Sequence, residues 1–428
     1  MDAPTFRPPA IEKRHSSLLG RLLIAGLVAT VAWTAFAALF AQMYGSSAPH
    51  GAGFDFQILL TAAGRIAAGQ SPYDPALLTG SPTGITELFY TYPPFVAQML
   101  VPVVGLPSIV VIGGFLAAAV AMAAVVLGIS AAQGFGLPRS LAVLLALVAL
   151  PSWFPFTLAL LFANVDAVFV AADGVLLAAV LTRAPSRILV VVAGIALAIT
   201  AIAKLQPAVL CIWLVARGFR TRHVGPATDA DMATGFPAEW RVAGVALVAG
   251  AVVVAGSVLA GGIGMWVDYV TMLRTSTGTG LLDRRNLGPV VQLAMLLGLG
   301  ASAVAPMQLV IDIAVVAGVS AAALRIDDLM TSFTCALVGS LVVLPVTWFH
   351  HFAVLIVALV AGLSRVRQAG GSMRRIALAA GAAFGIGVVG FGTVVTWLLI
   401  VPVLAAARSA SPSHLAADGR QPVVEPLA

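Results

Sequence analysis

Long, uninterrupted apolar runs recur along most of this chain, and they restrict its fold more than any other feature. Backbone groups inside a bilayer must find their hydrogen bonds within the segment, so only helices or a closed barrel can span it. A barrel would need short strands of alternating polarity. These runs are instead continuous and rich in Ala, Leu, Val and Gly, which is typical of helices. The sequence therefore predicts an all-α polytopic membrane protein.

Composition supports this fold class and excludes several functions. Hydrophobic residues make up 60% of the 428 positions and charged residues 9%, whereas a soluble domain carries about 25% charged residues. We attribute the net charge of +6 to cytoplasmic loops and predict no nucleic-acid partner. Cys211 and Cys335 lie inside apolar runs, without metal-ligand or disulfide spacing. The sequence has no Walker loop, Rossmann fingerprint or zinc motif, so we predict no cofactor, no metal and no soluble nucleotide donor.

The apolar runs predict about 10–12 transmembrane helices. The first run is too long for the core of a signal peptide, and we interpret it as a retained span. We predict a cytoplasmic segment over 1–17, one transmembrane domain over 18–407 and a polar, disordered tail over 408–428. The predicted spans are 18–43, 95–107, 109–131, 140–156, 157–181, 188–204, 207–217, 241–262, 307–324, 329–345, 347–363 and 376–401.

The distribution of Lys and Arg predicts the orientation, because these residues favour cytoplasmic loops. They flank the first span and occupy the short loops near 183–187, 217–241 and 365–375. The loops 44–94 and 263–306 then lie outside, as does the turn at 346–351. The chain is thus expected to be a multi-pass protein of the cell membrane, with its functional polar residues on the outer face.

The first outer loop is too long for a simple connection. Apolar and polar residues over 54–68 alternate at helical spacing, which predicts an amphipathic helix on the membrane surface that ends at Gly69. Asp55 stands near its start between Phe54 and Phe56. Such a carboxylate could have a raised pKa and act as a general base. Alternatively, Asp55 could simply cap the helix, since Asp is a favoured N-cap residue.

Three further charged or ionisable residues lie close to the ends of apolar runs. Lys204 interrupts one run in AIAKLQPAV, where an ionisable group is costly and usually faces a cavity or a partner; the alternative is a lysine that snorkels to the interface. His350 and His351 lie in TWFHHF and could bind an anionic group such as a lipid phosphate. Their alternative role is to anchor the end of a helix in the interface.

Two more groups of polar residues remain open to both interpretations. Arg284 and Arg285 in the second outer loop could clamp a phosphate, or they could belong to an ordinary solvated loop. Asn164 and Asp166 interrupt an apolar stretch, so we expect them to face the protein interior.

Four motifs, in this order along the chain, resemble glycosyltransferase family 87, part of the GT-C superfamily of multi-span transferases. The resemblance covers positions 55 to 351. Its motifs are Asp55 with Gly69 and Pro72-Tyr73, Tyr90 and Tyr92 in Tyr-x-Tyr-Pro-Pro, Lys204 and Gln206 in Lys-x-Gln-Pro, and Trp348 with His350-His351.

The resemblance implies a transferase that takes a sugar, most simply mannose, from a polyprenyl-phosphate donor to a glycolipid or glycan acceptor on the outer face. Asp55 would be the catalytic base. Lys204, Gln206, His350, His351, Tyr90, Tyr92 and the two arginines would bind the donor phosphate or the substrate. Direct displacement would invert the anomeric centre. An arabinofuranosyltransferase, or a multi-span transporter or flippase, is the alternative; a transporter would place its functional charges near the bilayer midplane.

Overall fold

A computed structural model of the chain describes residues 12–43, 51–79, 89–224, 236–276, 282–283 and 285–408. The described residues are 81% helical and contain no strand. The predicted tail over 408–428, apart from Arg408, and most of the segment over 1–17 lie outside the described residues.

The helices are numbered here in chain order. Those of the first half are α1 Glu12–Met43, α2 Phe54–Ala67, α3 Pro75–Leu78, α4 Pro94–Leu100, α5 Ser108–Phe135, α6 Arg139–Ala149, α7 Phe154–Phe162, α8 Asp166–Leu181, α9 Arg187–Ala203 and α10 Ala208–Val224. Those of the second half are α11 Ala238–Gly261, α12 Ile263–Ser276, α13 Pro289–Leu296, α14 Val304–Arg325, α15 Leu329–Val342, α16 Leu355–Gln368, α17 Met373–Val389 and α18 Ile400–Arg408. A 3-10 turn, Phe349–Val354, leads directly into α16.

The prediction of an all-α polytopic membrane protein is confirmed. Four helical segments in the described part are long and apolar enough to cross a bilayer, or up to five if α6 and α7, which meet at 79°, form one bent span. This count is below the predicted 10–12, because other apolar segments form shorter helices of 10–17 residues. The amphipathic helix predicted over 54–68 is α2, and Gly69 follows it in the left-handed conformation with φ +74°.

Several predicted spans are interrupted, two of them without a proline at the break. The span predicted over 157–181 is divided at Ala163, where α7 ends in the left-handed conformation and α8 starts three residues later. The span predicted over 376–401 is divided between α17 and a 3-10 turn, Val394–Leu399. Both stretches are mostly apolar, so their mean hydropathy gives no sign of either break.

α16 and its 3-10 turn form the centre of the bundle. The most apolar stretch of Phe349–Gln368 is 89% buried inside the protein. The most apolar stretches of α5, α11 and α14 are only 17–22% buried, so these helices face lipid. Small residues allow the central helices to pack closely. A Cβ atom on Gly134 of α5 would lie 2.2 Å from Cβ of Ser364, so only glycine fits this crossing with α16.

Arginines gather at one end of these helices. Arg217 of α10 donates to the carbonyl oxygens of Ile326 at 2.5 Å and Asp327 at 2.8 Å, which satisfies backbone acceptors where α14 ends. Arg365 of α16 pairs with Asp328 at 3.1 Å. The opposite ends of α8, α9 and α16 lie next to Asp166, Lys204 and His350.

Candidate active site

The break between α7 and α8 places two polar side chains inside the protein. Ala163 has φ 52°, the only positive φ of a non-glycine residue in the described ranges, and this turns the chain sharply. The Asn164 N–H donates to the Ala159 carbonyl at 2.8 Å, and the Asn164 side-chain oxygen accepts from the Asp166 N–H at 3.0 Å. Asn164 and Asp166 are both buried, at 5% and 1% exposure.

The first turn of α2 lies against this break. The Gly53 N–H donates to the Leu161 carbonyl at 2.7 Å, and Gly53 adopts φ 72° with Ile112 close to where a Cβ atom would stand. Gly53 occupies the N-cap position, so Asp55 does not cap the helix. Asp55 Oδ2 instead accepts a hydrogen bond from Asn164 Nδ2 at 2.7 Å.

The Asp55 carboxyl has a raised pKa. Burial raises the pKa of Asp55 from 3.8 to about 6, while the Asn164 hydrogen bond and the Lys204 charge oppose this rise. A carboxyl group with a pKa near 6 is ionised at neutral pH and still basic enough to take a proton. Asp55 is therefore a candidate general base.

Lys204 reaches the same place from the end of α9. That helix ends at Ala203, and Pro207 follows, so Lys204 lies in an extended break before α10. Its Nζ donates to Asp166 Oδ1 at 2.8 Å and to Asn164 Oδ1 at 3.4 Å. Lys204 therefore does not snorkel to the surface; it pairs with a carboxylate that is 1% exposed.

The two histidines approach Asp166 from the 3-10 turn. The Nε2 atoms of His350 and His351 lie 3.6 Å and 3.3 Å from Asp166 Oδ2. The Trp348 N–H donates to His351 Nδ1 at 3.1 Å, which assigns the ring proton of the neutral imidazole to Nε2. We call the set Asp55, Asn164, Asp166, Lys204, His350 and His351 the polar network.

Three members of the network could in principle hold a metal ion, because ligand atoms of Asp166, His350 and His351 lie within 4.8 Å of one another. Two features oppose a metal site at these residues. With its proton on Nε2, His351 presents no lone pair toward Asp166, whereas a ligating histidine usually donates its other ring N–H outward. The Lys204 ammonium also bonds the same carboxylate. The three residues therefore suit the ammonium group of Lys204 better than they suit a divalent metal ion.

Three other residues singled out from the sequence lie beside the network or support the loop around it. Gln206 is 2% exposed, and its side-chain oxygen has no hydrogen-bond partner in the described part of the chain. Lys204 Nζ lies 6.0 Å from the centre of the Tyr92 ring. The Tyr90 hydroxyl donates to the Pro93 carbonyl at 2.6 Å and accepts from the Ala97 N–H at 3.0 Å; substrate binding by Tyr90 stays a prediction.

The arginines of the second outer loop have a different position. Arg284 lies outside the described residues. Arg285 pairs with Asp283 at 2.6 Å and is largely exposed, with 69% of its side chain open. A phosphate clamp at these arginines remains a prediction.

Asn164 and Asp166 were expected to face the interior, but the sequence did not assign them to the site. They connect its parts, since Asn164 contacts Asp55 and Asp166 contacts Lys204. The available signal was their spacing, two polar residues separated by one position within an apolar stretch.

A family model described as glycosyltransferase family 87 matches residues 90–346, more than half of the chain. That range includes Tyr92, Asn164 and Lys204, and leaves out Asp55 and the two histidines. No curated protein and no solved structure matches the chain. The resemblance drawn from the sequence motifs is confirmed: the chain belongs to glycosyltransferase family 87 and is a membrane glycosyltransferase.

Proposed function

We propose that this glycosyltransferase moves a sugar, mannose in the first instance, from a polyprenyl-phosphate donor to a glycolipid or glycan acceptor, with Asp55 as the general base. The single observation that carries the proposal is the hydrogen bond between Asn164 and Asp55 in a network that also holds Lys204. It brings a buried base and a cation into one site, as transfer from a phosphate ester requires.

The chemical step follows from the roles of these groups. Asp55 takes the proton of the acceptor hydroxyl, and the acceptor oxygen forms a bond to the anomeric carbon of the donor sugar. The bond between that carbon and the phosphate oxygen breaks, and its electron pair leaves with the polyprenyl phosphate. A single displacement of this kind inverts the anomeric centre.

The leaving phosphate gains negative charge and needs donors. Lys204 has three N–H groups, of which two contact Asp166 and Asn164. Lys204 Nζ also lies 3.1 Å from His351 Nε2. Because that nitrogen carries the ring proton in the assigned tautomer and accepts no hydrogen bond, we assign the third N–H of Lys204 to a phosphate oxygen. His350 Nε2 has no hydrogen-bond partner in the described residues and is a second candidate contact. Gln206 is two residues from Lys204, and the Tyr92 ring lies 6.0 Å from Lys204 Nζ, so both residues are placed to border the bound sugar.

The position of the network supports an outer-face reaction. It lies at the helix ends opposite Arg217 and Arg365, and arginines favour the cytoplasmic side. A lipid-linked donor suits the outer face, where its phosphosugar can reach the interface while its tail stays in the bilayer. A transporter would need charged groups near the midplane and two related halves, and the network at helix ends does not favour that function.

The test is transfer by purified protein in lipid nanodiscs. Polyprenyl-phosphate mannose, arabinofuranose and glucose, each labelled in the sugar, would be offered with alkyl glycoside acceptors. We expect transfer from one donor, and a loss of about 10²–10⁴-fold in Asp55→Asn. The matched control is Asp74→Asn, in the same loop, where an exposed carboxylate caps α3 and Asn caps equally well.

Each outcome has a distinct meaning. Full transfer by Asp55→Asn would remove the base assignment, and retention of the donor's anomeric configuration would exclude a single displacement. Transfer of arabinofuranose alone would identify the alternative sugar. No transfer of any sugar, together with ligand-coupled uptake into vesicles, would favour the transporter.

A further inference from the structure

We propose that Asn164 is a positioning residue for the transfer reaction: its amide holds Asp55 Oδ2 and leaves Oδ1 to receive the proton of the acceptor. This inference rests on the proposed function. It extends that function by naming the group that orients the base and keeps it ionised.

The orientation of the Asn164 amide is set by its contacts. Its oxygen accepts from the Asp166 N–H at 3.0 Å and lies 3.4 Å from the Lys204 ammonium, and both of these neighbours are donors. The amide nitrogen must therefore point the other way, where it meets Asp55 Oδ2 at 2.7 Å. If the amide were flipped, its nitrogen would face two other donors, the Asp166 N–H and the Lys204 ammonium. Its oxygen would then face the Asp55 carboxylate, which is an acceptor.

The backbone fixes this amide in place. Asn164 follows Ala163, a fully buried residue with φ 52°, and its own N–H is bound to the Ala159 carbonyl. On the other side, Gly53 ties the start of α2 to the Leu161 carbonyl. The two partners of the hydrogen bond are thus carried by chain segments that are themselves bonded together, so the contact is preorganised.

One oxygen of Asp55 remains for the substrate. Asp55 Oδ1 accepts no hydrogen bond from the residues that the structure describes. The helices that pack against α2, namely α4, α5 and α7, carry no charged residue. The ionisable groups around Asp55 are Lys204, Asp166 and Tyr92, with His350 and His351 beyond Asp166. The Asn164 amide is therefore the direct donor that favours the charged base.

Asn164→Asp separates positioning from a merely structural role. Aspartate has the same shape, and its side-chain oxygen can accept from the Asp166 N–H as that of asparagine does, so a residue needed only for this local turn tolerates it. Beside Asp55, however, it replaces a donor by an acceptor and a like charge, which raises the pKa of Asp55. Asn164→Ala removes the donor without adding a charge.

The readout is the pH profile of kcat/KM for the donor that the wild type uses. We expect the midpoint of the acid limb to rise by about one unit in Asn164→Ala and further in Asn164→Asp. Asn286→Asp is the matched control, since Asn286 also accepts from a backbone N–H two residues on, at Gly288, but donates to the Pro345 carbonyl. Its midpoint is expected to match wild type.

A second measurement needs no substrate. Infrared difference titration follows the carboxyl C=O band that Asp55→Asn abolishes, and the midpoint of that band should rise in Asn164→Ala. The inference is overturned if the pH profile of Asn164→Asp has the same midpoint as that of wild type. It is also overturned if the infrared titration of Asn164→Ala has the wild-type midpoint. Failure of the wild type to transfer any sugar would instead contradict the proposed function, and the infrared titration would still test the contact between Asn164 and Asp55.

Discussion

The ion pair between Lys204 and Asp166 gives the sharpest test of the polar network. Their charged atoms lie 2.8 Å apart, and their side chains are 16% and 1% exposed. Lys204→Met keeps the length and the apolar stem of the side chain but leaves Asp166 as a buried charge without its partner. Loss of one member of a buried pair costs about 3–5 kcal/mol, which lowers the folding equilibrium constant more than about a hundredfold.

The double variant Lys204→Met with Asp166→Asn separates the pair from its surroundings. With both charges removed, no uncompensated charge stays buried, so most of the lost stability should return. Transfer activity should not return, because the cation for the leaving phosphate is gone. Unfolding by SDS in mixed micelles, followed by tryptophan fluorescence, measures the stability of all four members of the cycle.

The control is an ion pair of similar length on the surface. Arg285 and Asp283 are 2.6 Å apart, but the Arg285 side chain is 69% exposed, so Arg285→Met should cost no more than about 1 kcal/mol. If Lys204→Met costs as little as this control, or if the two substitutions in the network are simply additive, then the pair is not buried and coupled as described.

Three further predictions follow from the site and the helix packing. Because Asp55 must be ionised to act as a base and its pKa is about 6, kcat/KM should fall about tenfold per pH unit below that value; a flat profile between about pH 5 and 8 contradicts this role. The same raised pKa means that stability is lost as pH rises from 3.8 through about 6, so Asp55→Asn should be more stable than wild type at neutral pH by up to about 3 kcal/mol. That difference should vanish near pH 4, and an equal difference at both pH values would show that ionisation is not its cause. Gly134→Ala should lower the unfolding free energy by about 1–3 kcal/mol through its clash with Ser364, whereas Gly113→Ala on the same helix, with open space around it, should not.

Local patterns predicted much of the architecture. The periodicity over 54–68 matches α2, and Gly69 follows it with positive φ because the chain must turn there. Asp55 was singled out at the start of an amphipathic helix, and Lys204 and the two histidines as rare polar groups near the ends of apolar runs. These properties depend on neighbours in the sequence, which is why sequence reasoning reaches them.

The connections between those residues depend on tertiary structure. The left-handed turn at Ala163 breaks an apolar stretch without glycine or proline at that point, so hydropathy joined α7 and α8 into one span. Without that break, Asn164 and Asp166 have no evident role beyond polar contacts between helices. The contact between Asn164 and Asp55 joins residues 109 positions apart, and no local pattern specifies such a pairing.

The 3-10 turn that carries His350 and His351 has a consequence for the biogenesis of the protein. Asp55 of the network comes from the start of α2, and Asn164 and Asp166 come from the break before α8 and its first residue. Lys204 follows α9, and the two histidines come from this turn. During synthesis the base and the cation are inserted long before the histidines. A nascent chain that stops short of Phe349 therefore holds Asp166 and Lys204 without the imidazoles beside them, and the site is completed only when the central span, Phe349–Gln368, enters the membrane.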